Sequence, residues 1–465
     1  MKIHFTGIAG AGMAAVAQMM QDAGHQVSGS DQDVFPPMST FVEGLGLPVS
    51  WRLDAANLPR DLDVLVQGAS AKLGGDDNVE AAEARRRGVR VITFPELVGD
   101  LTRDRVNTVV AGSFGKSTCA ALAAHVLRSC GVDAGWLVGA ISPSLPATGR
   151  WGASPEMILE GDEYIVGPND RRSKFDLYHP QRLLLTSLVH DHVNVFPTFA
   201  AYEAPFLRLL EGLPEGGLAV LRDHPAVRSA AARTRARIVW YGGGEGGWRA
   251  QDEVFGEVSR FVLVAPDGTR TAMTTGLLGA HNIENIVGVS ALLLEAGLVD
   301  REGLVSAVAS FAGIRRRLDR LTRTSRIPVI EGFGSSWEKA RSAMDALRLH
   351  FPDRKLVVVF EPHTFSWRSR DALSWYDTVF EGADRVLILP PPGHGAESHH
   401  QSTLAEIVER TRAAGVDARP VMDAAEAQDA LSTLSGDEVV LLLSSGPLAG
   451  LPESLPPMFD RLYGT

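Results

Sequence analysis

Cysteine is almost missing from this chain of 465 residues, where only Cys119 and Cys130 occur. A disulfide framework is thereby excluded. The two fall eleven positions apart in one helical stretch, about three turns and too far for a bridge, so free thiols in a reducing cytoplasm are expected. Long apolar runs are also lacking, and none approaches the ~20 residues that cross a bilayer. The opening Met1-Lys2-Ile3-His4-Phe5-Thr6-Gly7 has neither the apolar core nor the small-residue cleavage site of a signal peptide. Positive charge is in deficit: 45 Lys and Arg against 56 Asp and Glu leave a net charge of -11. That excludes a broad electrostatic footprint on nucleic acid or anionic membrane. An anionic ligand must instead be held locally, by backbone N–H groups, helix N-termini and a few cations.

What is present is an ordinary globular composition, 45% hydrophobic and 22% charged. At a prior of about 150 residues per domain the length suggests about three domains. Residues 1–105 alternate short apolar runs with helical stretches, the pattern of a parallel sheet with crossover helices. The polar stretch 100–105 closes that segment, and 106–313 forms a second with strands at 108–111, 157–159, 183–188, 217–221, 237–240 and 260–264. Its glycine run 242–247 reads as a surface loop, because strand patterns resume beyond it. A third alternating segment, 314–465, has strands at 328–330, 356–360, 385–389 and 439–443 and helices at 338–349, 370–380 and 404–414.

The strongest local signal is the strand 108–111 followed by Gly112-Ser113-Phe114-Gly115-Lys116-Ser117-Thr118. Strand, tight glycine turn and helix start let backbone N–H groups and the helix dipole meet phosphate. Lys116 then reaches the outer phosphates, and the Ser117 hydroxyl can bind Mg²⁺. Val110 stands where the usual pattern has its first glycine. Glu160-Gly161-Asp162-Glu163 follows the next strand, and His190-Asp191-His192 follows the one after. Carboxylates and an imidazole at the C-terminal edge of a parallel sheet sit where ligands bind. Near the N-terminus, Gly7-Ile8-Ala9-Gly10-Ala11-Gly12-Met13 stands between strand and helix, a loop suited to a diphosphate. A nicotinamide dehydrogenase would use such a loop too.

Together these motifs resemble the Mur ligases, which build the peptide stem of peptidoglycan. The resemblance implies an α/β fold of three domains: Rossmann-like at 1–105 for a UDP-sugar, a P-loop ATPase at 106–313, and Rossmann-like at 314–465 for the amine and for closure over ATP. ATP is then the cofactor of Gly112–Thr118, together with His281, Asn282 and Asn285 in Gly279-Ala280-His281-Asn282-Ile283-Glu284-Asn285. The family pattern lacks the missing glycine as well, so Val110 fits it. The resemblance places Mg²⁺ on Ser117, Glu160 and His192, and the catalytic set is Lys116, Glu160, His192, Arg316 and Arg317. The two arginines come from Arg315-Arg316-Arg317-Leu318-Asp319, which is similar to the family's arginine pair at the start of its third domain. Substrate contacts are expected at Gly7, Gly10, Gly12, Met13, Ser30, Asp31, Arg172, Ser173 and Lys174.

Three segments narrow the resemblance to the murein peptide ligase branch, which attaches a preformed tripeptide to UDP-N-acetylmuramate. They are residues 29–40, Asp170-Arg171-Arg172-Ser173-Lys174-Phe175, and Ser444-Ser445-Gly446-Pro447-Leu448-Ala449-Gly450. Departures cluster at Glu331-Gly332-Phe333-Gly334-Ser335-Ser336-Trp337-Glu338, where the family has Asp-Asp-[Phe/Tyr]-x-His-His-Pro-Thr. Gly332 removes a carboxylate, two serines replace two histidines, and Glu331 is expected to aim differently. The expected partners are small molecules, a UDP-sugar and an amino acid or peptide, with no nucleic acid and no membrane. The expected location is cytoplasmic, and the oligomeric state is left open. A specialised paralogue with another amine, and a UDP-sugar-binding descendant without turnover, are the alternatives. The joints at 103–105 and 313–315 are expected to permit closure on ligands.

Overall fold

Aliphatic runs covered on both faces favour parallel sheets, and the chain builds three of them. The computed structural model describes residues 1–32, 34, 38–68, 78–167, 170–192, 195–393 and 400–464. Asp33 and residues 35–37 of the segment 29–40 lie outside them.

The first sheet is wholly parallel, with Lys2–Thr6 at its centre between Gln26–Ser30 and Val64–Gln67, and with Val49–Ser50 and Arg90–Ile92 at the edges. The second has seven strands, in the order Arg237–Tyr241, Leu218–Arg222, Arg182–Leu185, Val106–Ala111, Glu156–Glu160, Gly135–Leu137, Gly149–Arg150. Val106–Ala111 thus lies between the strands carrying the acidic and histidine loops, in parallel register with both. That register brings three strand ends to one edge. A hairpin of Ile165–Gly167 with Asp170–Ser173 and a three-stranded sheet of Arg249–Val254, Ser259–Val264 and Arg270–Thr275 accompany it.

The third sheet runs Arg317–Arg320, Val329–Phe333, Glu438–Ser444, Lys355–Phe360, Arg385–Ile388, Ala418–Pro420. Successive residues of its strands feed opposite cores: Val329, Val357, Leu387 and Val440 pack on one face. Ile330, Val358, Ile388 and Leu441 pack on the other, as the two-residue period of a strand requires.

The chain forms two compact units. One comprises Met1–Asp252, Phe261–Thr274 and Ile283–Phe311; the other comprises Glu253–Arg260, Thr275–Asn282 and Ala312–Thr465. The first two sheets share the first unit because a single apolar cluster runs through both, from Ile3 to Ala236. Between the two sheets in the chain stands Arg105. Its guanidinium lies 3.9 Å from the centre of the Trp151 ring and donates to the carbonyls of Trp151 and Ser154, each at 2.9 Å, and of Gly152 at 3.0 Å. Within the joint expected at 103–105, Arg105 is thus packed on the segment that follows it.

Local differences from the sequence reading have physical causes. The strand expected over 183–188 ends at Leu185, where the Thr186 and Ser187 side chains turn to Phe114 of the phosphate loop. The segment expected as a helix over 370–380 is a 3₁₀ helix, Arg370–Asp377, with Tyr376 donating to the Trp367 carbonyl at 2.8 Å. Part of the basic run is an antiparallel edge strand, Arg317–Arg320. Among the described residues no helix is long and apolar enough to cross a membrane.

Candidate functional site

The strand Val106–Ala111 ends in a turn whose shape depends on glycine. Gly115 has φ +84° and precedes the helix Lys116–Ser129. A Cβ there would lie 2.7 Å from Asn285 Oδ1, so only glycine lets the loop approach the helix Ala280–Glu295. The loop is braced from the histidine strand. The Phe114 N–H donates to Ser187 Oγ at 2.9 Å, and Ser113 Oγ donates to the Val189 carbonyl at 2.7 Å. Tyr202, fully buried, adds a hydroxyl 2.9 Å from Ser113 Oγ.

Glu160 terminates its strand facing the loop. Its Oε1 accepts from Ser117 Oγ and its Oε2 from the Gly139 N–H, both at 2.6 Å. Burial raises its carboxyl pKa, opposed by those two hydrogen bonds and the Lys116 charge. Lys116 Nζ donates to the Gly112 carbonyl at 2.6 Å and lies 2.8 Å from Glu163 Oε2. Glu163 is 1% exposed, and its Oε1 is 3.2 Å from His192 Nε2 and 3.5 Å from the Tyr202 hydroxyl. It is therefore the hub joining the lysine, the histidine and the tyrosine. The Glu163 hydrogen bond raises the His192 pKa against desolvation. Asp162, where burial would raise the pKa, is held below the usual range by Lys174 at 2.5 Å.

Two of these groups were beyond the motifs. Glu163 stood in view within the acidic loop, but nothing in the spacing marked it as the buried member. Tyr202 carried no local signal, since only the fold brings its helix, Phe199–Glu211, to the loop.

The N-terminal loop is organised by its own backbone. The Gly7 and Ile8 N–H groups donate to the Ser30 carbonyl at 2.8 and 3.1 Å, and the Ala9 N–H donates to Asp31 Oδ2 at 2.8 Å. Asp31 thus shapes the glycine turn, its other oxygen accepting from Gln32 N–H at 2.8 Å. The Ser30 hydroxyl is turned to buried Glu80, with His4 Nε2 3.5 Å from the same carboxylate. Gly10 precedes the helix Ala11–Asp22, Gly12 faces the Phe94 ring and Met13 is buried. Lys174 lies 5.5 Å from that Phe94 ring centre while pairing with Asp162, so it spans the N-terminal loop's surroundings and the acidic loop. Ser173 Oγ donates to the Glu163 carbonyl at 2.6 Å, whereas Arg172 is exposed and pairs with Asp170.

Residues 2–106 match the "Mur ligase family, catalytic domain", and residues 110–293 the "Mur ligase middle domain". The UDP-N-acetylmuramate–L-alanine ligase of Anaeromyxobacter dehalogenans is 30% identical over 467 aligned positions, covering 99% of this chain and 98% of that protein. The chain belongs to the Mur ligase family. As a member it is an ATP-dependent, ADP-forming ligase. Among solved structures, the UDP-N-acetylmuramate-alanine ligase of Thermotoga maritima superposes with a TM-score of 0.80 at 22% identity, covering 99% of each chain. A murein peptide ligase from Psychrobacter arcticus gives 0.66 at 22% identity over 98% of each.

The second unit holds the remaining expected residues. Arg316, at φ +65°, donates from Nε to Glu331 Oε1 at 3.1 Å and from Nη2 to the Gly446 carbonyl at 2.8 Å. Glu331 therefore aims at the arginine. Burial raises its carboxyl pKa and Arg316 opposes that rise. A side chain on Gly332 would instead point to Leu441 and Leu443, each 3.4 Å from its Cβ. Ser336 caps the helix Trp337–His350, and Lys339 Nζ donates to Ser335 Oγ at 3.2 Å. Beside them Glu361 accepts from the Leu448 N–H at 2.6 Å and pairs with His363 at 3.1 Å. Arg317 is exposed and faces His281, whose pKa is lowered first by burial and then by that charge. Asn282 donates to the Leu278 carbonyl at 2.8 Å.

Proposed function

We propose that this ligase activates the carboxylate of UDP-N-acetylmuramate as an acyl phosphate and transfers the acyl group to an amine. The carboxylate oxygen attacks the γ-phosphorus of ATP, the bond to the β–γ bridging oxygen breaks, and ADP leaves. The amine nitrogen then attacks the acyl carbon, inorganic phosphate leaves with the carboxylate oxygen, and the amine gives up a proton. The observation carrying this reading is the convergence of Lys116, Ser117, Glu160, Glu163 and His192 on one sheet edge.

Such a transfer needs alignment and charge neutralisation more than covalent chemistry from the protein. Lys116, released from Glu163, neutralises the transferring phosphate, with Arg316 or Arg317 as its second cation. His281, Asn282 and Asn285 hold the nucleotide. Among the described residues no three of His, Cys, Asp and Glu converge on a metal, but Mg²⁺ requires only one or two carboxylates beside phosphate and water. Ser117 with Glu160 fits that demand, and His192 would hold a second ion. An ion held there would supply charge neutralisation for the phosphate. The loop 7–13 with Lys174 receives the UDP-sugar.

For the amine we infer the tripeptide L-Ala-γ-D-Glu-meso-diaminopimelate, supported by the likeness of residues 170–175 to the murein peptide ligase branch. L-Alanine is the second reading, supported by the name of the Anaeromyxobacter relative. ADP release with UDP-N-acetylmuramate and each amine in turn decides between them. The tripeptide should stimulate release and alanine should not; the reverse result replaces the first reading by the second.

A further inference from the structure

His350 ends the helix Trp337–His350 and is 4% exposed. The Gly279 N–H donates to its Nε2 at 2.6 Å. A backbone N–H can only donate, so Nε2 carries a lone pair and the ring proton resides on Nδ1. Nδ1 in turn donates to the Gly256 carbonyl at 2.7 Å. Phe255 packs edge-on at 5.4 Å. The imidazole is thus a single neutral tautomer joining two backbone segments, Glu253–Arg260 and Thr275–Asn282, both of which belong to the second unit.

What Gly279 leads into gives the tie its meaning. Gly279 has φ +94°, and a Cβ there would lie 2.5 Å from the His281 ring. The next residue begins the helix Ala280–Glu295, and Asn285 of that helix lies against Gly115 of the phosphate loop. A displacement of Gly279 therefore moves the first turn of the helix that abuts the loop.

We propose that His350 is a positioning residue for the nucleotide: it fixes Gly279, and so the start of the helix Ala280–Glu295, only while its imidazole is neutral. This rests on the reading that the helix start serves ATP. Burial lowers the His350 pKa, the Gly256 carbonyl partly offsetting it. The other titratable and charged groups here are His281, with its own lowered pKa, and Arg317 beside it. Glu257 of the 253–260 segment is held by Arg320 at 2.7 Å and Arg354 at 3.6 Å. With the folded pKa below that of a free imidazole, the tie is complete throughout the neutral range and above. It is lost as pH falls through the folded value, when protonated Nε2 can no longer accept from Gly279.

The test compares His350→Gln, which can still accept and donate without titrating, with His350→Phe, which can do neither. ATP dissociation constants by calorimetry and deuterium uptake across residues 276–283 are the readouts. At pH 7.5 the phenylalanine variant should bind ATP about tenfold more weakly and exchange faster over that segment, as expected when the two buried hydrogen bonds of the imidazole are lost. The glutamine variant should match the parent in both. As the pH is lowered through the ordinary imidazole range and below it, the parent should lose ATP affinity while the glutamine variant holds it. Parent-like exchange in His350→Phe overturns the tie. Faster exchange with unchanged ATP affinity overturns the nucleotide role, and parallel pH profiles of the parent and His350→Gln overturn the proton dependence. Calorimetry needs no turnover, so these failures remain distinct from absence of ligase activity.

Discussion

The phosphate-loop edge and the Arg316–Glu331 edge are both built at the C-terminal ends of parallel strands, yet they are constructed differently. The first is a backbone device: Gly112 and Gly115 shape a turn, and Ser187, Val189 and Tyr202 brace it. The second is a side-chain device, in which Arg316 is held by Glu331 and the carbonyls of Ser444 and Gly446, beside the Glu361–His363 pair. A backbone cradle admits few sequences, so its motif survives in recognisable form. A side-chain pocket can be respecified residue by residue, and the departures at Gly332, Ser335 and Ser336 fall in that half.

The sharpest way to break this comparison is Lys116→Ala. It should lower ADP release by on the order of 10³-fold or more while circular dichroism shows an intact fold. Retained substrate-dependent turnover would remove the phosphate loop from the chemistry.

Glu163→Gln comes next. Without the carboxylate that raises the His192 pKa, the histidine should titrate lower by NMR. Because Lys116 and His192 also lose the carboxylate that orients them on this edge, kcat should fall by about 10–100-fold. An unshifted His192 would mean that Glu163 is not the hub of the edge.

Glu331→Gln should have the smallest effect and a different signature. If Glu331 with Arg316 serves the amine half, the KM for the amine should rise severalfold while the KM for ATP stays within about twofold. A change confined to ATP would assign this edge to the nucleotide and dissolve the distinction.

How much of this was legible follows from the same contrast. The central strands of the sheets, among them 64–67 and 356–360, were visible because apolar runs covered on both faces have few alternatives, and strand-glycine-helix order disclosed the phosphate loop. Glu163 and Tyr202 were hidden because their importance arises from burial and from a helix folding back across about ninety residues to Ser113. Glu331 was expected to aim differently from a carboxylate at position 332, and the reason is local: strand alternation sends position 331 to Arg316 and position 332 to the apolar core. Asp31, expected at the substrate, also holds the Ala9 N–H of the neighbouring turn, a contact that its place in the sequence does not show. The packing of Arg105 could not be read from the sequence, since its three carbonyl partners come from residues 151–154.

The central claim is that the edge carrying Lys116, Glu160 and His192 turns a carboxylate into an acyl phosphate. Oxygen transfer tests it most directly. With UDP-N-acetylmuramate labelled by ¹⁸O in its carboxylate, ATP, Mg²⁺ and the amine that supports turnover, one labelled oxygen should appear in the phosphate released for each amide formed. Unlabelled phosphate accompanying amide formation would contradict the account.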